Sequence, residues 1–196
     1  SVLNESERKN LQNHLVNNLN NTNIGILLTM YSGMRIGEIC ALKWSDIDLQ
    51  SGIIRISKTV QRINDKIGNS KTKIIVGSPK SRTSEREIPI PNFLVNILNE
   101  RRQNENNYIL SGTHKLIEPR TMQNRFKSVL KKCGIRNVNF HLLRHTYATV
   151  CIENGFDAKT VSELLGHSNV NITLNRYVHS SLDTKKKYVE KLNFVA

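Results

Sequence analysis

Three basic side chains interrupt an otherwise apolar stretch, FHLLRHTYATV, at residues 140–150. His141 and Arg144 are three positions apart, so on a helix they project from the same face, while Leu143 and Ala148 can face a core. A charged group on a largely buried helix requires a partner of opposite charge. The spacing therefore predicts that this edge of the helix holds an anion, and a guanidinium is well suited to phosphate.

A second arginine lies near the predicted start of another helix. Arg35 follows Gly33 and Met34 directly, and the free backbone N–H groups of a helix start favour a bound anion. Two arginines brought together repel each other unless negative charge lies between them. Further along, His167 follows the glycine that closes a helix, and Tyr177 comes ten residues later. The chain thus offers cations for a phosphate and a hydroxyl that could attack it.

Lys80 completes a set that suits phosphodiester cleavage without a metal or a cofactor. It lies in a Ser-rich turn between two predicted strands, and a lysine near a phosphate could protonate the expelled sugar oxygen. Tyr177 could attack phosphorus and form a covalent ester that retains the bond energy. The two arginines would stabilise the charge on the non-bridging oxygens. His141 and His167 would hydrogen-bond the phosphate or relay the tyrosine proton.

Four segments together resemble the motifs of a known family. SGMRIGEICALKW, PKSRTSEREIPI, HLLRHTYAT and LLGHSNVNITLNRYVH, within residues 20–180, are similar in order and separation to the catalytic-domain motifs of the tyrosine recombinase (phage integrase) family. The similarity is greatest to integrases of conjugative transposons and temperate phages. The resemblance assigns Arg35 as the first arginine, Lys80 as the β-hairpin lysine, His141 and Arg144 as the His-x-x-Arg pair, His167 as the second histidine, Tyr177 as the nucleophile and Glu38 as a supporting carboxylate.

The resemblance also implies a reaction and partners. Family members cleave one DNA strand at a time through a 3′-phosphotyrosyl link, release a 5′-hydroxyl and exchange strands through a Holliday junction. They act as a tetramer on two duplexes at attachment sites, with accessory DNA-bending or excision factors, and integrate or excise a mobile element. An N-terminal core-binding domain is usual in the family, and we expect it to be absent from this chain.

The elements that must position these residues are mostly helical. Apolar periods and capping residues predict helices in LNESERKNLQNHLVNNL, in NIGILLTMYSG, from Arg35 to Leu42, in PRTMQNRFKSVLKKCG, near 141–154, 157–165 and 171–178, and in LDTKKKYVEKL. IIRIS, KIIVG and REIPIP predict one small antiparallel sheet within residues 53–90. The expected fold class is α+β, a catalytic domain over residues 1–180 with the sheet after the third helix. Residues 181–196 are expected to form a tail helix that docks on a neighbouring protomer or, alternatively, on its own domain.

The composition agrees with a nucleic-acid partner. Lys and Arg number 29 against 16 Asp and Glu, a formal charge of +13, and the basic residues are spread along the chain. Cys40, Cys133 and Cys151 are widely spaced in apolar helical contexts and are expected to be buried thiols of a cytoplasmic protein. The sequence has no apolar run of membrane-spanning length and begins without an apolar signal core. We therefore expect a cytoplasmic, nucleoid-associated protein without a membrane partner.

Other interpretations remain open at the level of sequence. A type IB topoisomerase would use the same residue types but only nick and reseal one duplex, and a non-catalytic DNA-binding protein would use the basic surface alone. Arg35 could simply pair with Glu38 one helical turn on. His141 and His145 have a spacing that could ligate a metal, although no third ligand lies nearby in sequence, and His145 is otherwise expected to be a packed or hydrogen-bonded neighbour.

Overall fold

A short run of strands lies between two groups of helices along the chain. The computed structural model describes residues 2–64, 72–78, 84–178, 186 and 189–191. Its helices are α1 (Glu5–Asn17), α2 (Asn21–Ser32), α3 (Ile36–Ala41), α4 (Asn92–Glu100), α5 (Pro119–Lys132), α6 (His141–Glu153), α7 (Ala158–Leu165) and α8 (Val170–Tyr177), with a 3-10 turn at Trp44–Asp46. The predicted helices over the described residues are confirmed, and α4 follows Pro91. Lys80 and most of the tail lie outside the described residues.

The strands form two sheets, so the prediction of a single sheet was wrong. They are β1 (Ile47–Asp48), β2 (Ile53–Ile56), β3 (Thr59–Asn64), β4 (Thr72–Gly77) and β5 (Arg86–Pro89). One antiparallel sheet has the order β1-β2-β5, and the other is the hairpin β3-β4. β2 buries Ile54 and Ile56, whereas β4 buries no side chain. Both edges of β2 are occupied, by β1 and by β5, so the hairpin cannot pair with β2 and packs against α3 instead, with Val60 buried.

The main core is built on α2, whose sequence is apolar on most sides. Ile24, Ile26, Leu27 and Leu28 are all buried there, which is the pattern of a helix enclosed by other elements. A capping box at Asn4 begins α1, the first helix of the chain. α1, α5 and α6 pack against α2. Because each of them buries one face against α2, their apolar residues recur with the helical period in the sequence.

The start of α6 is fixed by contacts with α5. Pro119 opens α5 at its first turn, and Gly134 follows the helix with a positive φ of 65°. Phe126 and Phe140 pack edge to face with ring centroids 5.2 Å apart. The Phe140 backbone N–H also donates to Gln123 Oε1 over 2.8 Å. These contacts place the first turn of α6.

A smaller core joins α6 to the last two helices. It consists of Ala148, Cys151, Val161 and Leu165, with Tyr177 packed against it. α7 ends at Gly166, which has a φ of 63°, and α8 follows after a short turn. This small core joins α7 and α8 to α6, and α7 also contacts β5.

Two further expectations can be compared with the fold. Cys40 and Cys151 are buried, whereas Cys133 is half-buried at the C-terminal cap of α5, so the prediction of three buried thiols was wrong for that residue. Cys40 and Cys151 are members of the two buried clusters, whereas Cys133 only packs against the outside of the main core, which explains the difference. Among the described residues, no helix is both long and apolar enough to cross a membrane.

Candidate functional site

Glu38 is the centre of a buried network of charges. Its side chain is 1% exposed and forms salt bridges with Arg35 at 2.7 Å and with Arg86 at 2.9 Å. It also accepts the backbone N–H of Arg35 at 2.8 Å. Burial by itself would raise the pKa of Glu38, but the hydrogen bonds and charges of Arg86 and then Arg35 outweigh burial and lower it. Glu38 is therefore a carboxylate at neutral pH.

Arg144 is held beneath this network by two main-chain carbonyls. Its side chain donates to Gly33 O at 2.9 Å and to Leu165 O at 2.7 Å, and the residue is 2% exposed. Burial, followed by the positive charge of Arg35, lowers the pKa of Arg144 to about 9. The guanidinium consequently remains protonated near neutral pH, and it bridges the carboxyl ends of α2 and α7.

The carboxyl end of α7 receives three arginines from three different elements. Arg86 Nε donates to Leu164 O at 2.6 Å, while Arg144 and Arg35 donate to the next two carbonyls, with Arg35 Nη2 lying 3.2 Å from Gly166 O. The last carbonyls of a helix have no partner within the helix and carry partial negative charge. They therefore hold the guanidiniums close together despite the repulsion between them.

The arginine cluster, defined here as Arg35, Arg86 and Arg144, carries more positive charge than its surroundings neutralise. Glu38 provides one negative charge against three positive ones, and Arg35 alone keeps a substantial exposed fraction, 37% of its side chain. An open cleft of about 740 Å³ borders Arg35 and is also lined by Arg120 and by the ion pair of Arg62 with Glu118. The excess positive charge thus faces a cleft, where it can bind an anion such as phosphate.

Two of the predicted histidines lie beside this cluster and are neutral near pH 7. His141 is the first residue of α6, and burial followed by the charges of Arg144, Arg176 and Arg35 lowers its pKa. His167 follows α7, and its Nδ1 lies 2.8 Å from Thr173 Oγ1. Burial, followed by Arg144 and Arg35, lowers the pKa of His167 to about 4. Both rings can therefore donate or accept a hydrogen bond without adding charge.

Tyr177, at the end of α8, contacts a histidine that was not predicted to be part of the site. Its hydroxyl lies 2.6 Å from Nδ1 of His145. Burial raises the pKa of Tyr177, although the charges of Arg176 and Arg144 oppose the effect. The phenol is protonated at neutral pH and must lose its proton if it is to attack phosphorus. The prediction that His145 is a hydrogen-bonded neighbour agrees with this contact.

The structure brings together five of the six predicted catalytic positions and the supporting carboxylate. Direct hydrogen bonds or charge interactions link five of these residues, and His141 lies at the same edge. The five are Arg35, Glu38, Arg144, His167 and Tyr177. Lys80 lies outside the described residues. The suggestion that Arg35 pairs with Glu38 is also correct, and the pair belongs to the cluster. Among the described residues, no group of three His, Cys, Asp or Glu side chains could hold a metal.

Sequence reasoning missed Arg86. It lies on β5 two positions before the buried Ile88, and its side chain is 5% exposed. Residues two positions apart share one face of a strand, so the alternation REIP placed a charged side chain on the core side. An inward-facing arginine requires a buried partner, and that requirement was the signal that could have identified it.

Comparison with known proteins places the chain in a family. The family model described as "Phage integrase family" matches residues 2–183. The chain is 36% identical to a XerC-like tyrosine recombinase of Caldanaerobacter subterraneus subsp. tengcongensis, over 85% of this chain and 48% of that protein. It is 25% identical to the transposase from transposon Tn916 of Enterococcus faecalis, over 86% of this chain and 44% of that protein.

A solved structure has the same fold. The Tn1549 transposon integrase in complex with transposon right end DNA superposes with a TM-score of 0.78 at 20% identity, over 97% of this chain and 65% of that chain. The chain spans about half the length of the curated relatives it matches. The resemblance to transposon and phage integrases, and the α+β fold class, are confirmed. With its motifs in order and almost its whole length matched, the chain belongs to the phage integrase family.

Proposed function

We propose that the chain is the catalytic part of a site-specific DNA recombinase that integrates or excises a mobile element. The observation that carries this proposal is that a protonated tyrosine and two neutral histidines lie beside an arginine cluster with excess positive charge, of which Arg35 borders an open cleft. A phosphodiester supplies the negative charge that the cluster requires. The proposal needs no metal ion and no cofactor, because the nucleophile and all charge-stabilising groups are side chains.

In the proposed reaction, Tyr177 Oη attacks the scissile phosphorus, a neighbouring neutral histidine takes the tyrosine proton and relays it to solvent, and the bond from phosphorus to the 5′ oxygen breaks. Arg35 and Arg144 bind the non-bridging oxygens, and His141 and His167 hydrogen-bond the phosphate. The departing 5′ oxygen takes a proton from Lys80. The product is a 3′-phosphotyrosyl link and a free 5′-hydroxyl. Attack of another 5′-hydroxyl on this link reverses the step and joins the strands, so no external energy source is required.

We infer partners and domain limits from the family and from the relatives. The Tn1549 integrase was solved with transposon end DNA, which supports double-stranded DNA at attachment sites as the substrate. We further propose a tetramer on two duplexes, aided by accessory DNA-bending or excision factors, that works on the nucleoid in the cytoplasm. Residues 1–180 would form the catalytic domain, and the tail at 181–196 would dock on a neighbouring protomer.

A nicked suicide substrate tests the chemistry. The full protein is incubated with candidate attachment-site DNA in which cleavage releases a short fragment, and covalent adducts are resolved on a denaturing gel. The proposal expects an adduct with the wild type and with Tyr31→Phe, which removes a hydroxyl bonded to Gln12, but none with Tyr177→Phe. An adduct that persists in Tyr177→Phe contradicts the nucleophile assignment. Joining of the cleaved strand to a second duplex separates a recombinase from a topoisomerase.

A further inference from the structure

We propose that His145 is a positioning residue for the nucleophile: its Nδ1 accepts a hydrogen bond from the Tyr177 hydroxyl and holds the neutral phenol beside the arginine cluster. This inference rests on the proposed function and adds a residue to it. The contact joins α6 to α8 over 2.6 Å. His145 is also the residue directly after Arg144, so one short segment of α6 carries both a phosphate ligand and the partner of the nucleophile.

The direction of the hydrogen bond follows from the acidity of the two groups. Tyr177 keeps its proton at neutral pH, because burial raises the pKa of the phenol. A phenol O–H is a stronger acid than the N–H of a neutral imidazole, so the hydroxyl donates and a ring nitrogen of His145 accepts. The pKa of His145 is lowered to about 4, mainly by burial. The neighbouring charges of His141, Arg176 and Arg144 lower it further. The ring is neutral, and Nδ1 is the acceptor with the ring proton on Nε2.

The His145 ring is itself held in place. The His141 ring packs against it edge to face, with centroids 4.5 Å apart and an interplanar angle of 88°. The rings of His145 and Tyr177 lie 5.9 Å apart. His141 therefore supports the residue that contacts the tyrosine, and we assign contact with the nucleophile to His145, not to His141.

The helix that carries the nucleophile needs such an anchor. Of the eight residues of α8, only Thr173 is buried, and Val170, Ile172 and Leu174 are exposed. α8 therefore has little core of its own to fix the end of a long side chain. The hydrogen bond to His145 fixes the hydroxyl relative to α6, the same helix that fixes Arg144. Because α6 carries both His145, which holds the Tyr177 hydroxyl, and Arg144, which would bind the phosphate, this one helix sets the distance between nucleophile and phosphate.

The test measures single-turnover cleavage with two substitutions at one position. His145→Ala removes the acceptor, whereas His145→Asn places an amide oxygen close to the position of Nδ1. We expect His145→Ala to cleave the suicide substrate about 100-fold more slowly, because a displaced nucleophile costs roughly this much. DNA affinity should hardly change, and His145→Asn should recover most of the rate. His14→Ala, on α1, is the matched control and should cleave like the wild type.

A second substrate separates attack from departure. When sulfur replaces the bridging 5′ oxygen, the leaving group no longer needs a proton, so a defect in the general acid is relieved and a misplaced nucleophile is not. We expect this substrate to leave His145→Ala slow and to restore Lys80→Ala. The inference is overturned if His145→Ala cleaves at the wild-type rate, if His145→Asn is as slow as His145→Ala, or if the sulfur substrate restores His145→Ala. If the wild type itself forms no adduct on any DNA, the proposed function fails and this inference falls with it.

Discussion

Glu38 shows how one carboxylate can organise several cations without neutralising them all. Both of its oxygens are used, since each accepts from Arg86 while Arg35 contributes a side-chain and a backbone donor. A buried ion pair contributes little net stability when it is intact, but removal of one partner leaves a buried charge uncompensated. The effect of substituting Glu38 should therefore be much larger than the net value of its salt bridges.

Glu38→Gln is expected to lower the free energy of unfolding by about 3 kcal/mol, because Arg86 and Arg144 would remain buried without a counter-charge. Urea denaturation of the protein without DNA measures the change. Glu87→Gln is the matched control, since Glu87 is 61% exposed and pairs with Arg55 at the surface. This control should lower the free energy of unfolding by no more than a surface ion pair contributes, about 0.5 kcal/mol. Equal shifts for the two variants would contradict this account of Glu38.

The lowered pKa values of His145 and His167, both to about 4, make stability depend on pH. The unfolded chain protonates these rings near their ordinary value, whereas the folded protein resists protonation. Their contribution to stability is therefore complete above about pH 6.5 and is lost as the pH falls toward 4. Thermal unfolding of the DNA-free protein across this range should show the decline. His167→Gln should flatten it, and an unchanged slope in that variant would rule out this origin.

At the scale of elements, the carboxyl end of α2 is as constrained as that of α7. Gly33 adopts a φ of 64°, and its carbonyl accepts from Arg144. A Cβ placed there would lie 2.5 Å from the Tyr147 ring and 2.7 Å from the Leu165 side chain. Both the backbone conformation and the lack of space therefore require glycine at this position.

Gly33→Ala is expected to destabilise the protein more than Gly134→Ala. Gly134 has nearly the same φ, 65°, but no atom lies within 4 Å of an added Cβ. Both variants incur the conformational cost of about 1 kcal/mol, and Gly33→Ala adds overpacking of about 1–3 kcal/mol. Chemical denaturation of the two variants side by side gives the difference. Indistinguishable unfolding midpoints would mean that the packing against Tyr147 and Leu165 relaxes without cost.

The same elements show what could be predicted from sequence and what could not. Helices such as α2 and α5 follow from apolar periods, caps, Pro119 and Gly134, because these signals are local. The division of the strands into two sheets depends on which strand β2 pairs with, and that choice is made by burial across the whole domain. Residue types at motif positions predicted a site that includes Arg35 and Tyr177, and the structure brings the described members of that set together. The alternation in REIP could mark Arg86 as inward-facing, but the partners of Arg86 and His145 lie in distant segments and follow only from the fold.

The whole molecule is expected to bind DNA through its charge. With a formal charge of +13, and with Arg62 and Arg120 lining the cleft beside Arg35, many contacts should be with phosphate. Each phosphate contact releases counterions, so affinity should fall by about 10³-fold or more between roughly 50 and 200 mM salt. A filter-binding or fluorescence-anisotropy titration at several salt concentrations measures the slope. An affinity that is insensitive to salt would show that binding does not rely on these charges.

The three arginines at the end of α7 hold on to main-chain carbonyls, and this choice of partner affects how the protein can vary. A carbonyl is present whatever the side chain, so substitutions at an exposed position of α7 cannot delete these partners. The position at which α7 ends, by contrast, cannot change without moving these carbonyls. A change that lengthened α7 past Gly166 would displace three guanidiniums at once, and no single compensating substitution could return all of them. A change in the final turn of α7 would therefore disturb all three arginines together, although they come from three different elements of the fold.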